Sequence, residues 1–110
     1  MDELWKDIEG YEGLYQVSTL GRVKSLDMKI EFYPMERKAY TQIRKGKILK
    51  PYLNQSGCMV VKLYKNGESR PKKVHRLVAI TFLKNTLNYK MVRFKDGDKT
   101  NAKLENLKWG

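Results

Sequence analysis

The sequence is poor in the side chains that most often carry chemistry. It has one cysteine, Cys58, and one histidine, His75. A lone cysteine excludes an internal disulfide and a thiolate zinc cluster. Cys58 follows Gly57 and precedes Met59-Val60-Val61, a half-buried strand setting in which a thiol packs as a small hydrophobe. No apolar run approaches the ~20 residues needed to span a bilayer. The start, Asp2-Glu3-Leu4-Trp5-Lys6, lacks the basic-then-apolar order of a secretory signal. No long basic amphipathic helix is visible either, so no membrane partner is expected and the location read from the sequence is cytoplasmic. Acidic residues are also scarce, with 12 Asp and Glu against 23 Lys and Arg.

That imbalance leaves a net charge of +11 on 110 residues, enough chain for one modest domain. Neutralising phosphates releases counterions, so the excess points to DNA or another nucleic acid as partner. The alternative is a solvated basic face kept for solubility. The apolar share of 41%, with seven Tyr, three Phe and two Trp, supplies core material for a globular domain rather than a disordered tail.

Residues 1–26 read as an N-terminal hairpin module. Tyr15-Gln16-Val17-Ser18 and Arg22-Val23-Lys24-Ser25 alternate, joined through Thr19-Leu20-Gly21, with Gly21 free to take a positive φ. Trp5, Ile8, Tyr11, Leu14 and Val17 form a candidate apolar cluster beneath. Residues 27–47 are a basic connecting segment. Lys29-Ile30-Glu31-Phe32 alternates weakly as a candidate strand, and Pro34 interrupts it. Arg37, Lys38, Arg44, Lys45 and Lys47 interleave with Tyr40 and Ile43. This mixture suits contact with a nucleic-acid backbone and bases; it equally suits a plain loop between two strand modules.

Residues 48–110 complete one compact unit. Ile48 to Leu53 ends at the turn cluster Asn54-Gln55-Ser56-Gly57. Cys58 to Tyr64 alternates, and Asn66-Gly67 is a strong two-residue hairpin signal. Ser69 to Val74 returns as a strand whose Pro71 suggests an edge or a bulge. Its Arg70, Lys72 and Lys73 either protect that edge or contact nucleic acid. His75 to Leu83 reads as a helix with Leu77, Val78, Thr81 and Phe82 on one side. Met91-Val92-Arg93-Phe94 is a short strand, and Lys95-Asp96-Gly97-Asp98-Lys99 a tight turn. Thr100 or Asn101 then caps a second short helix, Lys103 to Leu107, with Leu104 and Leu107 inward.

Trp5-x-x-Ile8, Tyr11-Glu12-Gly13-Leu14-Tyr15-Gln16-Val17-Ser18 and Leu20-Gly21-Arg22-Val23-Lys24-Ser25 together resemble the small DNA-binding module that often precedes the core of phage and intron-encoded nucleases. Val74-His75-Arg76-Leu77-Val78-Ala79, then Phe82 and the Asp96-Gly97 turn, resemble the core of phage-type HNH homing endonucleases. The resemblance implies an α+β fold: small antiparallel β-hairpins followed by a ββα-metal-like core with two short helices. It also implies a site. In the family a histidine before the Asp-Gly turn deprotonates the attacking water, and a divalent metal stabilises the phosphate. Here the base position is Phe94 and the strand metal-ligand position is Arg93. The helix-side ligand is expected beyond Trp109-Gly110, where the chain ends. His75 matches the helix-start histidine, whose implied role is to tie helix to sheet by hydrogen bonds. Asp96 and Asp98 shape the turn, with a relocated Mg²⁺ site there as the minor alternative.

The expected function is therefore that of a catalytically inactive HNH-like phage protein that binds nucleic acid without a cofactor. Arg22, Lys24, Arg44, Lys45, Lys47, Arg70, Lys72, Lys73, Arg76, Arg93 and Lys95 are the candidate phosphate contacts, and His75 and Phe94 line the old cleft. An alternative is an anti-defence protein, acting in the host cell cytoplasm, that uses Arg93 and Phe94 to sequester a nucleotide signal or inhibits a host protein. A third reading keeps Mg²⁺-dependent cleavage at a shifted site or one completed by a partner chain.

Overall fold

The computed structural model describes residues 3–32 and 40–110. Among the described residues ten strands and one α-helix follow in order: β1 Trp5–Asp7, β2 Tyr15–Ser18, β3 Val23–Ser25, β4 Met28–Phe32, β5 Tyr40–Arg44, β6 Tyr52–Leu53, β7 Met59–Lys65, β8 Glu68–Lys73, α1 Val74–Phe82, β9 Val92–Phe94 and β10 Leu107–Trp109. They form four small antiparallel sheets, ordered β1-β2-β3, β4-β5, β6-β7-β8 and β9-β10. The α+β class is as expected. Pro34, Arg37 and Lys38 lie outside the described residues. The helix is neither long nor apolar enough to cross a membrane.

Turn chemistry sets the hairpins. Asn66 and Gly67 take φ of 53° and 78°, the two positive values that a type I′ turn needs, and β8 returns along β7 with Lys65 opposite Glu68. Pro71 faces Lys62 on β8, an edge strand, where a missing N–H is tolerated. Asn54 Oδ1 accepts from the Ser56 and Cys58 amides and closes the preceding turn. Gly21 has φ of 78°, and a Cβ there would meet the Ala102 backbone at 2.9 Å, so this glycine lets the first hairpin approach the C-terminal loop. At the same contact Leu104 N–H donates to the Thr19 carbonyl at 2.8 Å.

These elements share one core. Ile8, Tyr15, Val17 and Val23 from the N-terminal hairpin pack with Val61 and Leu63 from β7, Leu77 and Val78 from α1, and Leu107 from β10. Each such side chain contributes about 1.5–3 kcal/mol of apolar burial. Tyr15 keeps its hydroxyl satisfied by accepting from Tyr64 N–H at 3.1 Å. Helix α1 begins one residue before the expected start and buries Val74, His75, Leu77, Val78 and Ala79.

The expected second helix is reduced to a single 3-10 turn, Leu104–Asn106. Leu107 then leaves it to pair with Phe94 on β9. Two demands stop a longer helix. Asn106 is needed as a side-chain bridge to the Asp96 turn, and Leu107 is needed on the sheet, 2% exposed, to cover α1. Thr100 and Asn101 do not cap a helix. Thr100 donates its hydroxyl to Asp98 Oδ1, and Asn101 Nδ2 donates to Asp96 Oδ2.

Candidate functional site

Helix α1 and the β9-β10 hairpin meet where the HNH resemblance puts the catalytic centre. Adjacent strand residues point to opposite faces. Phe94 turns inward and packs on His75, ring centroids 4.8 Å apart and planes tilted by 59°. Arg93 turns outward, and its Nε donates to the Gly110 carbonyl at 2.7 Å. The two side chains named together from the sequence therefore do not line one cleft.

His75 is 7% exposed. Its expected hydrogen-bonded tie to the sheet is a correction: Nδ1 is buried with no partner among the described residues, and packing on Phe94 holds the ring instead. Burial, reinforced by the Lys73 and Arg76 charges, holds its pKa down at about 4. The imidazole is neutral near pH 7. This has a measurable consequence. The unfolded chain takes up the proton first, near pH ~6.5. Stability is then complete above that pH, falls as pH drops towards the folded value, and has no further His75 dependence below it. Urea unfolding at about pH 7 and about pH 5 should show a smaller loss in His75→Gln than in wild type; an equal loss would contradict the assignment.

Arg93, Phe94 and neutral His75 offer a divalent metal no carboxylate, and the Arg93 charge repels one. Among the described residues, no three His, Cys, Asp or Glu side chains group to hold a metal ion. The Asp96-Gly97-Asp98 turn spends its oxygens on itself. Asp96 Oδ1 accepts from Asp98 N–H at 2.8 Å and Asn106 Nδ2 at 2.9 Å. Asp98 Oδ1 accepts from the Thr100 amide and hydroxyl. Asn101, then Asp98 N–H and Asn106, hold the Asp96 carboxyl below its usual range. This is a turn lock, with Gly97 at φ 76°.

The cations fall into three groups. Near β3, Arg22 forms a two-pronged ion pair with Glu3, and the Arg22 fork lies 5.7 Å from the Trp5 ring centre. Arg22, which the sequence offered as a phosphate contact, is thus already paired, and the pairing holds Glu3 down at about 2. Lys24 Nζ sits 4.3 Å over Trp5, and Lys45 and Lys47 are exposed beside this strand. Arg44 ends β5, and its side chain lies outside the description. Along β8, Arg70 pairs with Glu68 at 3.2 Å, and Lys72 and Lys73 continue towards α1. Arg76 donates to the Lys90 carbonyl at 2.8 Å and lies 5.9 Å from the Trp109 ring centre. Trp109 Nε1 in turn donates to Leu83 at the end of α1. Lys95 is exposed at the β9 turn. Lys50 and Lys62, which are not among the contacts expected from the sequence, stand with Lys47 around Tyr52. Lys62 was legible as the outward position in an alternating strand; its meeting with residue 47 was not.

This arrangement has known counterparts. A family model described as the NUMOD4 motif matches residues 3–64. "DNA endonuclease I-HmuI" of Bacillus phage SP01 is 39% identical over 105 residues, covering 96% of this chain and 51% of that protein. "Uncharacterized HNH endonuclease L247" of Acanthamoeba polyphaga mimivirus is 36% identical over 111 residues, covering 97% of this chain and 23% of that protein. The solved structure described as "DNA binding and cleavage by the HNH homing endonuclease I-HmuI" superposes with a TM-score of 0.75 at 37% identity, covering 97% of this chain and 52% of that one. The chain thus spans about half the length of the phage relative. With its hairpin module inside the matched motif and its α1–β9–β10 unit inside the superposition, the chain belongs to the phage-type HNH homing endonuclease family.

Proposed function

We propose that this chain binds DNA through its basic surface and does not hydrolyse it at the Arg93-Phe94 position. The single observation that carries the reading is the tilted Phe94–His75 ring contact. An aromatic ring that cannot accept a proton stands at the family's base position, against the chain's only histidine. Support for the DNA partner comes from the +11 charge and from a relative that is a DNA endonuclease. The protein works in this reading without a metal, in the cytoplasm of the host cell. A nucleotide clamped between Arg93 and Phe94 is not favoured, because the two side chains face opposite ways. No observation favours inhibition of a host protein.

The test is supercoiled plasmid incubated with the chain and Mg²⁺ or Mn²⁺. The plasmid is expected to remain supercoiled while a mobility shift at low salt shows binding. Nicking that a chelator abolishes would overturn the catalytic half of the proposal, and no shift at low salt would overturn the binding half.

A further inference from the structure

A cleft of about 590 Å³ opens where residues 47–50 meet β6 and β7. It adjoins a second of about 470 Å³ beside β3, and both are lined by Lys47 and Ile48. The junction exists because Ile48 bridges to Lys24 and Leu49 N–H donates to the Val23 carbonyl, laying this segment along the hairpin module. Ile48 is 48% exposed and Tyr52 41% exposed, so the groove offers an aromatic ring and an aliphatic side chain to solvent. Lys24, Lys47, Lys50 and Lys62 surround them. Among the described residues Asp27 is the one carboxylate lining either cleft, and its Oδ1 is occupied by Gly46 N–H at 2.6 Å.

Several of the other cations are already engaged within the fold. Arg22 and Arg70 are paired with glutamates, and Lys65, Arg76 and Arg93 donate to carbonyls. Among the described residues, Lys47, Lys50 and Lys62 have neither an ion pair nor a side-chain hydrogen bond. Free ammonium groups select a polyanion, and an exposed ring among them selects a flat apolar partner. In a duplex the base faces are covered by their neighbours; in a single strand they are not.

We infer that this groove takes a single strand of nucleic acid, with phosphates on Lys47, Lys50 and Lys62 and an unpaired base on Tyr52. The inference rests on the DNA-binding reading and goes beyond it by naming the face and the strand state. Fluorescence anisotropy at low salt with a labelled oligo-dT and a labelled duplex tests it. Tyr52→Ala should weaken oligo-dT binding by about 5- to 100-fold and duplex binding far less, with Tyr52→Phe retaining wild-type affinity. The triple variant Lys47→Ala/Lys50→Ala/Lys62→Ala should lower the salt slope for oligo-dT by about two. Lys84→Ala/Lys108→Ala, at a separate cleft by the end of α1, should change neither. Circular dichroism confirms that each variant is folded. Tyr52→Ala losses that are absent, or equal for oligo-dT and duplex, overturn this inference alone. Binding of neither nucleic acid by wild type overturns the wider reading with it.

Discussion

Affinity for duplex DNA should fall about a thousandfold as salt rises from about 50 to 200 mM. The expectation follows from which cations are free. Arg22 and Arg70 already hold glutamates, so they contribute little. Lys24, Lys47, Lys50, Lys62, Lys72 and Lys73 form no ion pair among the described residues. If about six phosphates are neutralised, the slope of log K against log salt is about −5, which a fourfold change in salt converts to roughly three decades. Glu3→Gln gives an internal check. Releasing the Arg22 fork should steepen the slope by about one if Arg22 then reaches a phosphate. A wild-type slope near zero would mean that the basic face is a solvated surface.

Asn106→Ala should destabilise the fold by about 2–4 kcal/mol, lowering Tm by roughly 10–15 °C. Asn106 is 7% exposed, and its side chain serves three partners. Nδ2 donates to Asp96 Oδ1 at 2.9 Å and to the Asn101 carbonyl at 3.0 Å; Oδ1 accepts from Asp96 N–H at 3.1 Å. Alanine leaves those groups without their partner beside a buried position, and that desolvation is the larger part of the cost. Leu107 follows directly, so loosening the 3-10 turn also disturbs β10, the strand that pairs with β9. Asn106→Asp keeps the shape but sets a second carboxylate against Asp96. It should be nearly as damaging near pH 7 and partly recover in acid. Thermal unfolding followed by circular dichroism reads both. A shift of only a degree or two for Asn106→Ala would show that the turn is held by its backbone alone.

The local elements were legible because their causes are local. Asn66-Gly67 dictates its own turn, alternation marks β2, β3 and β7, and the apolar spacing from Val74 to Phe82 marks α1. The second helix was misread because Lys103 to Leu107 has a helical spacing of leucines, and nothing nearby says that Asn106 must reach Asp96 or that Leu107 must reach Phe94. Within the site, composition and order were enough to place Arg93 and Phe94 where a base and a metal ligand were expected. Their separation onto opposite faces follows once β9 is known to be a paired strand.

Charge shows the same division. The excess of lysine and arginine, and with it the pull towards a polyanion, is a property of the chain at any conformation. Which of those cations is free is not. Glu3 neutralises Arg22 across 19 residues of sequence, while residues 47–50, laid along β3, bring Lys47 and Lys50 beside Lys62 of β7 and Tyr52 of β6. Folding sorts like charges into paired and unpaired ones by bringing distant residues together, and that sorting shapes the surface offered to a nucleic acid.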